Sequence, residues 1–241
     1  MPEIDLYYKK DKLLSVYDTK NTNTVPNIIH RLLLYDTDFP NKLLPYLREF
    51  RIHNKEFYHV LWKEEELLSI MNEEELNVYN SYKLRIQKSD YGRYIVLKYF
   101  GGIYLDFDIK MLNPLKHLYE QYKNDDLFFE EFTLNKVSNK HNETPCLLRI
   151  ANYIMMHKAN SLNILNLLKI CKERSTLKVY EEHDVLYTTG PDVVSALVDN
   201  ELRLNKDSIK VISKKEYSKF ILHLHAGHWR FQNQNIKYPN T

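Results

Sequence analysis

Two aspartates two residues apart, Asp106 and Asp108, end an otherwise apolar segment that contains Ile103, Leu105 and Phe107. We predict a strand over residues 103–109, on which residues i and i+2 point to the same side of the sheet. Two carboxylates that converge in a weakly polar environment repel each other, and a divalent cation relieves that repulsion. Their oxygen atoms favour Mg²⁺ or Mn²⁺. The pair therefore indicates a metal that neutralises a diphosphate leaving group. The alternative is two solvent-facing aspartates at the end of a strand.

A second candidate pair lies just upstream, where Asp90 and Arg93 are three residues apart. We predict a helix over residues 91–100 that is capped by Ser89 and Asp90 and presents both side chains on one face. Gly92 costs the helix about 1 kcal/mol relative to alanine, which a close approach of the backbone to another group would explain. The alternative is a capping aspartate with a weak surface ion pair. The Gly-Gly pair at residues 101 and 102 ends this helix.

The elements that position these residues alternate between strands and helices. Short apolar runs predict strands, and apolar residues at helical spacing predict helices. We predict strands at 25–30, 57–62, 127–132, 209–212 and 220–224, and further helices at 39–52, 63–71, 73–86, 114–123, 147–156, 161–174 and 191–202. This order predicts an α/β fold. We expect residues 1–24 to be a variable leader and residues 25–241 to form one domain.

Charge and composition exclude several classes of protein. Among 241 residues, Lys plus Arg number 34 and Asp plus Glu 32, a net charge of +2, which argues against nucleic-acid binding as the main task. The two cysteines, Cys146 and Cys171, are too far apart in sequence to suggest a disulfide framework or a thiolate metal site. No apolar run approaches the length of a membrane span. We expect a cytoplasmic protein of bacterial or viral type, with at most peripheral membrane contact.

Four motifs together resemble the DXD sugar-binding region of glycosyltransferase family 32, which includes inositol-phosphoceramide mannosyltransferases. They are Val25-Pro-Asn-Ile-Ile-His30, Val60-Leu-Trp62, Ser89-Asp-Tyr-Gly-Arg93 and Gly101-Gly-Ile-Tyr-Leu-Asp-Phe-Asp108. The resemblance extends over residues 25–115. It implies a GT-A fold, with a Rossmann-like mixed sheet flanked by helices. It also implies a metal-dependent retaining glycosyltransferase that moves a sugar from GDP-mannose or a UDP-hexose to a hydroxyl of a glycan or glycolipid.

The resemblance also assigns roles in binding the nucleotide-sugar donor. Ile28 and His30 would lie near the base, although a satisfied core histidine is the alternative for His30. Asp90 and Arg93 would face the sugar and ribose. Asp106 would lie near ribose, sugar and metal, and Asp108 would be the direct ligand of Mn²⁺ or Mg²⁺.

Three later segments complete the implied site. His223-Leu-His-Ala-Gly-His-Trp229 resembles the family's closing segment, which makes His223 a metal ligand and Gly227, His228 and Trp229 donor-binding residues. His225 shares the strand face with His223 and is its rival, and a tail that merely packs around Trp229 is the alternative. Thr189 and Gly190 would open a helix whose free N–H groups favour anions. Asn152 would open a helix near the acceptor.

Two further questions stay open on the sequence. Retention without an obvious nucleophile indicates front-face attack by the acceptor, although Glu130 and Glu131 are candidate nucleophiles. The rival to an enzyme is a catalytically degenerate protein that binds a nucleotide sugar or glycan on the same fold. A metal-dependent nucleotidyl- or phosphotransferase has only the aspartate pair in its favour.

Overall fold

The computed structural model describes residues 23–34, 43–133, 146–204 and 209–225. Within these ranges the strands are β1 (Ile28–Leu32), β2 (Tyr58–Trp62), β3 (Gly102–Leu105), β4 (Ile109–Met111), β5 (Leu127–Thr133), β6 (Leu148–Ile150), β7 (Ile154–His157), β8 (Lys210–Ile212) and β9 (Ile221–His223). The helices are α1 (Leu44–His53), α2 (Glu64–Leu68), α3 (Glu73–Ser81), α4 (Arg85–Phe100), α5 (Lys116–Tyr122), α6 (Leu162–Arg174), α7 (Glu182–Thr188), α8 (Pro191–Arg203) and α9 (Lys214–Tyr217).

Seven of these strands form one mixed sheet in the order β2-β1-β3-β7-β5-β6, with β8 also paired to β5. β1 runs parallel to β2 and β3, and β7 is antiparallel to both β3 and β5. A separate antiparallel ribbon of β4 and β9 follows from the end of β3. The α/β prediction is therefore confirmed.

The central strands are buried on both faces, as expected for a sheet covered by helices. Successive side chains of β1 enter different core clusters, Ile28 on one side and Ile29 on the other. α4 packs on the Ile28 side with Tyr94, Ile95 and Val96 buried. The opposite cluster contains the inner faces of β4 and β9. The sheet thereby fixes the end of β3, where the two aspartates follow.

The prediction of one strand over residues 103–109 is wrong, because β3 ends at Leu105 and β4 begins at Ile109. Asp106, Phe107 and Asp108 form a turn between the two strands. The side-chain alternation of a strand therefore does not explain why both carboxylates lie at this site. β3 continues the large sheet while β4 pairs with β9, so the chain changes partners within the motif.

The predicted helix over residues 147–156 is also wrong, because this segment forms β6 and β7. A short apolar run fits a helix or a buried strand equally well, and strand pairing decides between them. Here β7 fills the space between β3 and β5. Asn152 consequently lies between two strands and does not open a helix.

The other elements have the predicted type, helix or strand, but their bounds differ from those predicted. α4 begins at Arg85, so Asp90 lies inside the helix and does not cap it. The helix predicted at 39–52 is observed as α1, and residues 35–42 lie outside the described ranges. The predicted leader lies outside them as far as residue 22. No helix in the described ranges has both the length and the apolar composition of a membrane span.

Candidate active site

Two consecutive glycines bring β3 into place beside β1. Gly101 and Gly102 have φ values of +61° and +97°, in the region that side chains disfavour. A Cβ on Gly102 would lie 2.7 Å from the carbonyl oxygen of Ile28, so a larger residue would push the strands apart. The predicted requirement for glycine at the end of α4 is confirmed.

The Asp106-Phe107-Asp108 turn, which we call the DXD turn, is held by hydrogen bonds at both aspartates. The Asp106 amide donates to the Tyr153 carbonyl at 2.9 Å, and Arg31 Nη1 donates to the Asp106 carbonyl at 2.6 Å. At the other end, the Leu224 amide donates to the Asp108 carbonyl at 2.9 Å. Contacts from three separate parts of the chain therefore fix the backbone of this turn.

Arg93 is the centre of a buried polar network below the DXD turn. Its Nη2 lies 2.7 Å from Asp90 Oδ1, and its Nη1 lies 3.3 Å from Asp106 Oδ1. Nη1 also donates to the Asn152 carbonyl at 2.7 Å. The Tyr104 hydroxyl donates to the same Asp106 oxygen at 2.7 Å. The prediction that Asp90 and Arg93 share a helix face is confirmed, and that face points inward.

Asp90 joins this network to the segment before α8. It accepts hydrogen bonds from Asn152 Nδ2 at 3.0 Å and from Thr189 Oγ1 at 3.2 Å. Burial raises the pKa of Asp90 to about 6, against the opposing effect of Arg93. Asn152 therefore belongs to the Arg93 network. Its contact with an acceptor stays a prediction.

Thr189 and Gly190 directly precede α8, as predicted. Gly190 is the N-cap of that helix and Pro191 its first residue. The Thr189 carbonyl accepts a hydrogen bond from Tyr94 of α4 at 2.9 Å. The N-terminus of α8 is thereby anchored to the helix that carries Arg93.

Asp108 faces His223, which ends β9. Asp108 Oδ1 and His223 Nε2 are 3.2 Å apart, and the two side chains are 15% and 16% exposed. The His223 ring stacks on Tyr153, with ring centroids 3.9 Å apart. The structure thus brings together the two residues that the resemblance assigns as metal ligands.

His225, the rival of His223, lies beyond the end of β9. Its φ of +49° shows that strand alternation does not extend to it. The two imidazole centroids are nevertheless 4.1 Å apart. Burial and then the neighbouring His223 lower the pKa of His225. Asp108 is thus paired with His223, and His225 packs against the His223 ring from beyond the end of β9.

The donor atoms at this site suit a hard or borderline divalent cation. Asp108 offers a carboxylate and His223 an imidazole, a combination compatible with Mn²⁺. Asp106 also lies in the DXD turn and is 30% exposed, although Arg93 and Tyr104 hold one of its oxygens. Among the described residues no group of three or more His, Cys, Asp or Glu side chains is arranged to hold a metal. The fit of this site to a divalent cation therefore depends on Asp108 and His223.

Ile28 and His30 lie in the core. Both are fully buried. His30 Nε2 donates to the Gly101 carbonyl at 2.8 Å, and Trp62 Nε1 donates to His30 Nδ1 at 3.0 Å. Burial lowers the pKa of His30 to about 4. These contacts favour the core-histidine alternative over a place in the nucleotide pocket. Gly227, His228 and Trp229 lie outside the described residues.

Sequence reasoning missed three residues at the site: Arg31, Tyr104 and Tyr153. Arg31 is fully buried on β1, and its guanidinium lies 4.8 Å from the Phe50 ring and 5.9 Å from the Phe107 ring. A charged residue inside the apolar run at 28–32 was an available signal, because buried charges need partners. No comparable signal in the sequence identifies Tyr153, because its stacking on His223 depends on where β9 lies.

Residues 40–125 match a family model described as a glycosyltransferase sugar-binding region containing a DXD motif. This range contains α4 and the DXD turn, and therefore Asp90, Arg93, Asp106 and Asp108. The resemblance predicted from the motifs is confirmed over this range.

Two curated relatives extend the same resemblance. Inositol phosphoceramide mannosyltransferase 1 of Schizosaccharomyces pombe is 32% identical over 100 residues, which are 39% of this chain and 31% of the relative. The uncharacterized glycosyltransferase L373 of Acanthamoeba polyphaga mimivirus is 33% identical over 90 residues, or 35% of this chain and 36% of the relative. The chain thus spans about a third of the length of the relatives it matches.

The fold has a counterpart among solved structures. The PaToxG glycosyltransferase superposes with a TM-score of 0.56 at 16% sequence identity, covering 84% of this chain and 78% of the other. At this identity the similarity concerns the fold alone. The predicted GT-A fold is confirmed.

Proposed function

We propose that this protein is a metal-dependent retaining glycosyltransferase that moves a sugar from a nucleoside diphosphate to a hydroxyl acceptor. The observation that carries this proposal is the convergence of the Arg93 network and the Asp108–His223 pair on the DXD turn. This turn lies within the segment that matches the glycosyltransferase sugar-binding region.

Asp108 and His223 would hold Mn²⁺ or Mg²⁺, with Asp106 beside them. When bound, the cation would neutralise the charge that develops on the departing diphosphate. Tyr153 holds the His223 ring by stacking, and the Leu224 amide holds the backbone of Asp108. This support orients both ligands before any ion binds.

Asp90 and Arg93 would act by orienting Asp106. Their side chains are almost fully buried, whereas the Asp106 carboxylate reaches solvent. Arg93 binds one oxygen of that carboxylate, and Tyr104 donates to the same oxygen. The second oxygen is then available for a hydroxyl of the donor. The N-terminus of α8, which Thr189 and Gly190 precede, would favour an anion through the helix dipole. The Gly190 amide itself already donates to the Val185 carbonyl at 3.3 Å.

The bonds at Glu130 and Glu131 favour front-face attack without a separate nucleophile. The Glu131 carboxylate pairs with Arg149 Nε at 3.3 Å, and the Glu130 carboxylate accepts from the Lys214 amide at 3.3 Å. Both carboxylates are engaged by donors. The leaving phosphate would then accept the proton of the attacking hydroxyl, and the anomeric configuration would be retained.

The names of the relatives guide the choice of donor and acceptor. One is called an inositol phosphoceramide mannosyltransferase, which places GDP-mannose first among the donors and a glycolipid first among the acceptors. A UDP-hexose is the second choice of donor. Because this chain spans about a third of the length of that relative, the choice of donor and acceptor is part of the proposal.

A thermal-shift panel of GDP- and UDP-linked sugars, with and without Mn²⁺, tests the proposal. Binding to the folded state raises the melting temperature by mass action. We expect a Mn²⁺-dependent rise with one nucleotide class, which Asp108→Asn abolishes. Asp199→Asn is the matched control, because its side chain is 14% exposed and also forms an ion pair, with Arg203. No rise with any donor in the folded protein would contradict the proposal.

The second candidate is a degenerate nucleotide-sugar or glycan-binding protein. The observation in its favour is that no three-ligand metal cluster is formed by the residues that the structure describes. Donor binding that is independent of both Mn²⁺ and Asp108, without release of nucleoside diphosphate, would favour this candidate.

A further inference from the structure

The carboxyl end of β5 lies at the same edge of the sheet as the DXD turn. β7 is antiparallel to both β3 and β5, so β5 runs in the same direction as β3. The carboxyl ends of such strands are where α/β folds bind ligands. Burial and then His223 lower the pKa of His225, whereas the charges of Glu131 on β5 and of Asp108 act in the opposite direction. Both carboxylates are therefore close to one imidazole.

Glu131 lies in a β-bulge between β5 and β6. Glu130 lies opposite Ile150, and Phe132 lies opposite Arg149, so Glu131 is the extra residue of the ladder. A bulge changes the direction of a side chain, and bulges are frequent beside active sites. The irregular pairing thus presents Glu131 at the edge that the DXD turn shares.

Arg149 joins Glu131 to the first turn of α8. Its Nε lies 3.3 Å from Glu131 Oε2, and its Nη1 pairs with Asp192 Oδ1. Glu131 and Arg149 are each 17% exposed and Asp192 is 20% exposed, so solvent and ligands reach all three side chains. Each pair occupies one carboxylate oxygen, which leaves the other oxygen and Arg149 Nη2 to bond to a ligand. We call these three residues the Arg149 cluster.

The Arg149 cluster lies near the Arg93 network. Asn152 and Thr189 both donate to Asp90, which belongs to that network. Arg149 and Asp192 are three residues from them along the chain, a separation of at most about 10 Å. A molecule bound at the cluster would therefore lie beside the proposed donor site.

An aromatic ring and a cavity adjoin the Arg149 cluster. Phe132 is 46% exposed, and the guanidinium carbon of Arg149 lies 5.9 Å from its ring centroid. His183 Nδ1 lies 4.0 Å from Asp192 Oδ2. The same histidine lines a cavity of about 480 Å³, a volume within the ordinary range for small-molecule sites, together with Glu181, Glu182 and Leu186. There is thus room for a small molecule next to the cluster.

We propose that the Arg149 cluster binds the acceptor, as a ring that carries neighbouring hydroxyl groups: a sugar or a cyclitol. A hydroxyl both donates and accepts hydrogen bonds, which fits a guanidinium flanked by two carboxylates. Two carboxylates against one guanidinium disfavour a phosphate or carboxylate ligand. The apolar face of the ring would pack on Phe132. The role as acceptor rests on the proposed function, whereas the binding of the ring does not.

Saturation-transfer NMR of the full chain with Mg²⁺ and GDP or UDP, without any nucleotide sugar, tests the binding of the ring. The probes are methyl α-mannopyranoside and myo-inositol, which distinguish a sugar from a cyclitol. Cyclohexanol is the comparison, because its ring carries a single hydroxyl. We expect the wild type to bind a polyhydroxylated ring and not cyclohexanol. Arg149→Met should weaken that binding roughly 10- to 100-fold, because it removes charged hydrogen-bond donors.

Arg203→Met is the matched control. It also breaks an ion pair with an aspartate of α8, Asp199, near the opposite end of that helix. This variant should bind the ring as the wild type does. A melting temperature measured for each variant identifies any that fails to fold. Asp192→Asn, which keeps the size of its side chain, should also weaken binding and replaces Arg149→Met if that variant does not fold.

Three results would overturn the proposal: no binding of either polyhydroxylated ring, equal binding of cyclohexanol, or wild-type binding by the folded cluster variants. An equal loss in Arg203→Met would also overturn it.

The assays separate this site from the proposed function because no donor is present in them. Binding of the ring that depends on Arg149, without release of nucleoside diphosphate in a donor assay, would keep the site and refute only the transferase. In an active transferase, Asp192→Asn should raise the KM for the ring acceptor more than the KM for the donor. An equal rise in both would refute the role of the cluster in acceptor binding.

Discussion

Acidification tests whether His30 is part of the core. Its folded pKa is about 4, below the ordinary value of 6.5, because burial disfavours the charged ring. As pH falls through 6.5, the unfolded chain takes up a proton that the folded protein refuses. The contribution of His30 to stability is therefore complete above 6.5 and is lost as pH falls towards 4.

The size of this effect follows from the two pKa values. At pH 5 the linkage relation gives a loss of about 2 kcal/mol, and the full loss below pH 4 is about 3 kcal/mol. Burial also lowers the pKa of His59 to about 4, so that residue contributes a similar loss. Only a comparison with a variant at residue 30 isolates the effect of His30.

Urea unfolding of the wild type and His30→Gln, at pH 8 and pH 5, provides that comparison. Glutamine carries one donor group and one acceptor and does not titrate. We expect the wild type to lose about 2 kcal/mol more than the variant between these pH values. Equal losses would refute the assignment of His30 to the core and restore its place in a solvated pocket.

Substitutions of Gly102, Arg31 and Tyr153 test the support of the DXD turn, with Gly92→Ala and Tyr153→Phe for comparison. Gly102→Ala should destabilise the fold by about 2–4 kcal/mol in urea unfolding, because φ is +97° and a Cβ would meet backbone. Gly92→Ala should cost less, since its Cβ would meet only leucine side-chain tips, and an equal cost would contradict the argument. Arg31→Met should weaken Mn²⁺ binding roughly 10–100-fold by calorimetry, by releasing the carbonyl of the first aspartate. Tyr153→Leu should weaken it similarly while Tyr153→Phe keeps the stack, so equal affinities for those two variants would refute a role for stacking on His223.

The sequence predicted that two residues of the Arg93 network lie on one helix face, but it did not predict what packs against that face. Asp90 and Arg93 are three apart on a long helix, and helical geometry alone puts them on one face. The burial of that face was not predictable from this spacing. It arises because Asn152 and Thr189, which are distant in sequence, supply the hydrogen bonds that a buried carboxylate needs.

The errors concern segments whose conformation depends on distant partners. The Asp-x-Asp segment has the alternation of a strand, yet the chain turns there because β4 pairs with β9 near the other end of the protein. The residues of β7 have the apolar content of either a helix or a strand. Their place between β3 and β5 decides the outcome, and local spacing carries no information about that pairing.

Release of nucleoside diphosphate from the donor that binds in the thermal-shift panel tests the transferase assignment most directly. With Mn²⁺ and a hydroxyl acceptor, we expect the wild type and Asp199→Asn to release nucleoside diphosphate and to form a glycosylated product. Asp108→Asn and His223→Ala should bind no Mn²⁺ at the same concentration. They should also release no nucleoside diphosphate. Turnover by Asp108→Asn at the wild-type rate, or donor binding by the wild type with no release under any of these conditions, would contradict the account.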